Sequence, residues 1–512
     1  MKLIGTVYLV GAGPGDAQLI TLRGAELLRR ADVVVYDSLA NEDLLRLAPE
    51  GAEKIGRLNP ADSGRLPQSE LTQLLIARAK VGKCVVRLKG GDPYIFGRGA
   101  EEAEELTAAG VPFEVVPGVS SVTAALGYAG IPLTHRGCAS VFTVVTGHED
   151  PSKEGAAVDW SLVAQAAGTK VILMGAERLG TIAKELVAKG MDPKTRAATV
   201  RWGTTTRQQT TISTLKELAD QGEGGSLKPP VVTVLGDVVA LREQLNWFET
   251  RPLFGQRVVV TRAREQAGPM SQQLRELGAE VLEIPTIKIV PPTEHKPLIE
   301  ALAGLGAYDW IIFTSANGVT SFFQHFFRGF EDLRDFGGAR IAAVGPATAA
   351  KLAELHLKVD LIPKEYEARL IAKELAAFQT VENLRVLLLR AEVATPELPR
   401  QLEDMGAIVD DVACYRTVPE TDDPYGDAAR LGTEGAEWVM FTSASTVEHF
   451  HARFDLRELC GRFPTLRLAS IGPETTKALT VLGLSAAVQP KHHTVEALIA
   501  GVVRLGQRDR RS

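Results

Sequence analysis

From Arg257 onward the sequence repeats itself. The stretch RVVVTRAREQAGPMSQQLRELGAEV from Arg257 recurs 128 positions later as RVLLLRAEVATPELPRQLEDMGAIV from Arg385. WIIFTSANGVTSFF from Trp310 recurs at the same offset as WVMFTSASTVEHF from Trp438. IAAVGPATAAKL from Ile341 returns 127 positions on as LASIGPETTKAL from Leu468, and KVDLIPK is echoed by AAVQPKH. Each block pairs a short β-rich run with a helical stretch. A repeat of this kind predicts two similar α/β lobes, over residues 257–384 and 385–510, with a cleft between them as the default ligand site.

The first half shows the same alternation without the repeat: VYLV then TLRGAELLRRA, VVVY then NEDLLRLA, CVVRL then GRGAEEAEELTAAG. Buried strands followed by amphipathic helices predict α/β architecture with mainly parallel sheets. The pattern breaks at NWFETRPLFGQ, which divides the chain into 1–246, a linker over 247–256, and 257–512. The chain has 512 residues, 45% hydrophobic and 23% charged, enough for several buried cores and too apolar for disorder. A net charge of -6 offers no basic footprint for nucleic acid and no polybasic membrane patch. No apolar run approaches the roughly 20 residues of a membrane span. Cys84, Cys138, Cys414 and Cys460 lie far apart with no metal-ligand spacing. No metal is expected, and a reducing, cytoplasmic compartment is. The N-terminal MKLIGTVYLVGAGPGD reads as a first strand and turn rather than a secretion signal.

GAGPGD, Gly11 to Asp16, invites a dinucleotide-binding reading, but two features oppose it. Asp16 takes the sixth position, where that fingerprint needs glycine, and Pro14 removes an N–H that a pyrophosphate would use. The run RLKGGDPYIFGRGAEE from Arg87 to Glu102 is more informative. Gly90 and Gly91 let the backbone approach a ligand closely, although a lone GGDP also suits an ordinary tight turn. VPGVSSVTAALGYAGIPLTHRG follows, with Ser120 and Ser121 at a helix start, then VVTGH ending at His148.

Together, VYLVGAGPGD, VVVYD, GGDPYIFGRG, VPGVSS, AGIPLTHR, TGH, VILMG and WGTTTRQQTT resemble the tetrapyrrole methylase family, and within it uroporphyrinogen-III C-methyltransferases, over nearly all of residues 3–245. The resemblance implies a two-lobed enzyme, a homodimer through this half, that takes S-adenosyl-L-methionine between its lobes. It places cofactor contacts at Pro14, Gly90, Gly91, Asp92, Ile95, Ser120, Ser121, Met174 and Gly203. It also implies that Asp37 accepts a proton. Arg57 stands where the family has a proton-donating lysine. Arginine does not release a proton near neutrality, so the role expected of Arg57 is to bind a substrate carboxylate. His135 and His148 read as hydrogen-bonded structural histidines.

In the second half, Thr314-Ser315 and Ser443 follow hydrophobic strands and precede helices, and Thr475-Thr476 follow a Gly-Pro-Glu. Helix N-termini suit carboxylates, although a single Ser or Thr there is most often only a cap. VTRAREQA, TSANGV, CYRTV and IGPETT on this repeated frame resemble uroporphyrinogen-III synthases over about residues 253–505. That family cyclises hydroxymethylbilane. The resemblance implies that Tyr415 assists loss of a hydroxyl, with Arg262, Thr314, Ser315, Ser443, Thr475 and Thr476 binding carboxylates. It also implies a chain that crosses between lobes, joining roughly 257–288 to 418–505. The expectation is thus a fused α/β enzyme: a two-lobed methylase-like half, then a pair of similar synthase-like lobes. It would make uroporphyrinogen III and methylate it twice to precorrin-2, toward sirohaem or cobalamin. Two alternatives stay open: methylation of another corrinoid or a protein residue, and a non-catalytic two-lobed sensor at the C-terminus.

Overall fold

A computed structural model describes residues 4–59, 64–65, 67–148, 158–220, 227–363 and 368–509. The segment ends expected at residues 1, 510 and 512 lie outside these. Four main sheets carry the architecture. The first contains β1 (Val7–Gly11), β2 (Val33–Tyr36), β3 (Glu53–Gly56), β6 (Val85–Lys89) and β7 (Phe113–Val116). The short pair β4 (Leu58–Asn59) and β5 (Gly64–Arg65) stands apart from it. Its order is β3-β2-β6-β1-β7, parallel throughout. Helices cover both faces, so its central strands are filled with Val and Leu.

The second sheet contains β8 (Phe142–Thr146), β9 (Thr169–Leu173), β10 (Arg196–Arg201), β11 (Gln209–Thr214) and β12 (Val231–Leu235), in the order β11-β10-β12-β9-β8. Only β8 and β9 run parallel. The expectation of mainly parallel sheets therefore fails for this lobe. One physical cause is the connection over residues 202–208, which is too short for a crossover and forces β10 and β11 antiparallel.

The repeat builds two further sheets. One joins β13 (Arg257–Val260) and β14 (Glu280–Glu283) to β20 (Trp438–Phe441) and β21 (Arg467–Ser470) in the order β14-β13-β20-β21, all parallel. The other contains β15 (Ile287–Val290), β16 (Trp310–Phe313), β17 (Arg340–Ala343), β18 (Arg385–Ala391) and β19 (Ile408–Pro419), in the order β15-β19-β18-β16-β17. Each repeat unit therefore gives strands to both sheets. The chain crosses from one lobe to the other after Glu283 and returns after Pro419, where β15 and β19 pair antiparallel. Arg453 ties the crossings together, donating to the carbonyls of Pro285, Glu420 and Thr421 at 3.5, 3.1 and 2.7 Å. Trp310 and Trp438, equivalent in the repeat, are fully buried in their separate lobes.

The segment 247–256 is packed rather than loose. Phe248 lies against Tyr128 on one side and Phe254 on the other, and Leu253 is buried in the core of the β13 lobe. Arg46, on the 3-10 helix Glu42–Leu47, then reaches from the first half into the second. It pairs with Asp427 at 2.8 Å and Glu283 at 3.5 Å and lies over the Tyr425 ring. The Asp427 side chain is only 4% exposed, so an unpaired carboxylate there is costly. Arg46→Ala is expected to weaken docking of the halves by about 3 kcal/mol. Small-angle scattering checks this as a larger radius of gyration of the variant.

Candidate active sites

Strand order decides where the first site forms. In the parallel sheet, β1 and β6 are central, and their carboxyl ends run into the loops Gly11–Asp16 and Gly90–Arg98. Gly13 and Gly91 exchange backbone hydrogen bonds of 3.2 and 2.7 Å, joining these loops. A Cβ on Gly118 would lie 2.2 Å from the Gly91 carbonyl oxygen and 2.6 Å from Gly11 Cα, so three backbones meet where no side chain fits. Asp92 completes the joint. Its Oδ1 accepts from the Tyr94 N–H at 2.8 Å and its Oδ2 from the Gly118 N–H at 3.0 Å.

The loops enclose one wall of a cavity of about 2070 Å³. Pro14, Asp37, Arg57, Gly90, Gly91, Asp92, Ile95, Ser120, Ser121, Met174 and Gly203 all line it. The structure thus gathers in one place all the residues expected in the first half as cofactor contacts, together with Asp37 and Arg57, while His135 lies outside this lining. Ser120 caps the helix Ser121–Tyr128, accepting from the Val122 N–H at 3.3 Å. Gly203 abuts Ala125, and Met174 adopts a positive φ of 55° and is 52% exposed. Ile95 is likewise 45% exposed, an apolar surface turned into the cavity. His148 lines the same cavity, and its N–H donates to Thr146. The opposite wall belongs to the other half of the chain and includes Glu280, Tyr425 and Arg430.

Asp37 follows β2 and is partly buried. Burial alone would raise its carboxyl, but the Arg87 guanidinium, at 2.5 Å from Oδ1, holds it below the usual carboxylate range. Lys89 and Arg57 add to this, the latter at 3.6 Å. Arg87, Lys89 and Glu102 are buried charged residues that sequence reasoning missed. The signal was present: two cations two residues apart in an otherwise apolar parallel strand. Burial, and then Arg87, push the Lys89 amine down.

The second site is dispersed. β14 and β19 both end where the chain crosses between lobes, so the carboxyl ends of both sheets face the crossings. Ser315 caps the helix Ala316–Gly329 through the Gly318 N–H at 3.0 Å and bonds the Tyr415 hydroxyl at 2.9 Å. Burial pushes the Tyr415 phenol up, keeping it protonated. Thr314 donates to the Leu389 carbonyl at 3.3 Å. Arg262, Ser443, Thr475 and Thr476 sit in the other lobe. Ser443 makes a capping box with Thr446, and Arg262 is half-buried, its guanidinium pushed down by burial. Two of the expected carboxylate binders have hydroxyls that are turned inward or already engaged. Thr475 is 3% exposed, turned inward like its repeat partner Thr348 in the first helical turn after a proline. The Thr476 hydroxyl is engaged by Ser470 and Gln489, each at 2.5 Å.

Two family models match the chain: Tetrapyrrole (Corrin/Porphyrin) Methylases over residues 6–219 and Uroporphyrinogen-III synthase HemD over residues 268–500. The porphyrin biosynthesis protein HemD of Ruminiclostridium josui is 36% identical over 504 residues, covering 98% of each chain. The S-adenosyl-L-methionine-dependent uroporphyrinogen III methyltransferase of Methanosarcina barkeri is 49% identical over 242 residues, 47% of this chain and 95% of that one. A solved structure from Thermus thermophilus, uroporphyrin-III C-methyl transferase complexed with S-adenyl homocysteine, aligns with 42% identity and a TM-score of 0.40 over 46% of this chain and all of that one. Fold, sites and relatives define a two-part enzyme of tetrapyrrole biosynthesis. The chain belongs to the HemD family of porphyrin biosynthesis proteins, with a uroporphyrinogen-III C-methyltransferase half followed by a uroporphyrinogen-III synthase half.

The glycine joint makes a paired prediction. Gly118→Ala overpacks three backbones and is expected to destabilise the methyltransferase half by about 3 kcal/mol. Gly127→Ala, in a helix where a Cβ meets nothing within 4 Å, is expected to stabilise it by up to about 1 kcal/mol. Thermal unfolding of the two variants beside the parent checks both signs.

Proposed function

We propose that the synthase half cyclises hydroxymethylbilane to uroporphyrinogen III and that the methyltransferase half methylates this product twice, giving precorrin-2. The observation that carries the reading is the convergence of eleven dispersed residues on one cavity, with an ionised Asp37 in its wall. The residues present fit S-adenosyl-L-methionine. A Cβ at Gly91 would project between the loop and the backbone of Ser120 and Ser121, so its absence leaves a cradle for a flat group. Exposed Ile95 and Met174 supply apolar contact for a soft, weakly hydrated sulfonium.

When bound, S-adenosyl-L-methionine supplies an electrophilic methyl group. The chain does the rest. Glycine backbone and apolar side chains hold the reacting atoms together and exclude water, an effect that depends on orientation. Arg57 holds a carboxylate of the substrate. Asp37, kept ionised by Arg87, accepts the proton lost once the pyrrole carbon has gained its methyl. In the synthase half, the protonated Tyr415, aligned by Ser315, donates to the departing hydroxyl. The methyltransferase half is proposed to pair as a homodimer, which the mass in solution tests.

Purified protein given hydroxymethylbilane alone should yield the type III isomer, and with S-adenosyl-L-methionine the dimethylated product. Appearance of only the type I isomer, formed without an enzyme, would overturn the synthase reading. Asp37→Ala is expected to slow methyl transfer about 100-fold while S-adenosylhomocysteine affinity, read by calorimetry, stays near that of the parent. Tyr415→Phe should slow cyclisation at least about tenfold and spare methylation.

A further inference from the structure

Behind Asp37, outside the cavity lining, lie four polar side chains, of which the reaction as described uses only the cations beside Asp37: Arg87 and Lys89 on β6, Glu102 in the helix Gly99–Ala108, and Gln68 at the start of the helix Gln68–Lys80. Arg87 and Glu102 are fully buried and Lys89 is 1% exposed. A strand covered on both faces is ordinarily filled with aliphatic side chains, and buried ion pairs rarely stabilise more than such a filling does. The positions are therefore expensive for the fold, and their geometry shows what they hold.

The guanidinium of Arg87 is fixed on three sides. Its Nε donates to Glu102 Oε1 at 3.3 Å, and its Nη1 donates to the carbonyls of Val35 and Leu88 at 3.4 and 3.2 Å. Its Nη2 is thereby aimed at Asp37 Oδ1, 2.5 Å away. Glu102 Oε1 also accepts from Lys89 Nζ at 2.8 Å and from Gln68 Nε2 at 2.7 Å. Gln68 turns its other end outward, where Oε1 accepts from Arg57 Nη2 at 3.0 Å. Arg57 lies 3.6 Å from Asp37, so the side chains close a ring: Asp37, Arg87, Glu102, Gln68, Arg57. Of the five, only Asp37 and Arg57 line the cavity.

We infer that Glu102 is the positioning residue of methyl transfer, orienting the proton-accepting carboxylate through Arg87 and the substrate-binding guanidinium through Gln68. It touches neither substrate nor cofactor. The charged groups facing Asp37 are Arg87 and Lys89 from β6 and Arg57 after β3, and Glu102 touches the first two directly. The ring has two arms with different duties, which makes the inference separable from simple structural support. It rests on Asp37 and Arg57 having the roles proposed above.

Two variants test it, each in the full chain. Glu102→Gln keeps the shape of the hub and removes its charge. The expected result is a kcat for methylation of uroporphyrinogen III lowered tenfold to about 100-fold, with S-adenosylhomocysteine affinity within about twofold of the parent. Gln68→Leu breaks only the arm to Arg57 at a half-buried position. It should raise the KM for uroporphyrinogen III about tenfold while kcat changes less than about threefold. A Glu102→Gln enzyme with unchanged kcat, or one that loses kcat only in step with S-adenosylhomocysteine binding, overturns the inference. Should Glu102→Gln not fold, Gln68→Leu decides alone, and an unchanged KM overturns it. A parent enzyme that does not methylate uroporphyrinogen III overturns the proposed function instead, so the two failures are distinct.

Discussion

Gly118 lies against Gly91 and Gly11 with no space for a methyl group between them, and the methyltransferase cavity depends on that contact. It brings together the carboxyl ends of β1, β6 and β7, which are adjacent in the sheet and remote in sequence. Once the three backbones touch, the Gly90–Arg98 loop has one path, and Asp92 secures it with both carboxylate oxygens. Asp92 therefore serves the loop before it serves any ligand. The cavity wall is backbone for the same reason that the joint is glycine: close approach tolerates nothing larger.

The second consequence of the packing is that the two halves share surface. A lobe of the synthase half lies over the methyltransferase cavity, and its acids receive Arg46. The contact falls beside the return crossing between the synthase lobes, on the segment that carries Tyr425 and Asp427. Glu283, the last residue of β14, also receives Arg46, so the contact reaches the first crossing as well. The halves are thus joined through a packed 247–256 segment and the ion pair of Arg46 with Asp427.

Much of this was legible in the sequence. The repeat at 128 positions identified equivalent strands, and Trp310 and Trp438 occupy equivalent buried places. The glycine-rich loops after β1 and β6 were readable because positive φ and close approach leave a compositional trace. Other features were not legible. The antiparallel lobe around β10 and β11 escaped because strand runs carry no direction. Thr475 and Thr476 were visible as hydroxyls at a helix start, but which way the helix turns them depends on the lobe it packs against. Glu102 escaped because it sits in a run of acids, EEAEE, and only burial distinguishes it from the exposed Glu101.

The sequence by itself determined the elements, their order, the division into two halves and the residue types at each strand end. These follow from local propensity, periodicity and repetition, all of which are read along the chain. Tertiary structure alone decided how charge is arranged: that Arg87 aims at Asp37, that Glu102 is the hub behind them, and that Arg46 closes on Asp427. The reason is physical. A charged side chain is unremarkable in water, and its meaning arises only when burial removes the solvent and leaves it dependent on a partner far away in sequence.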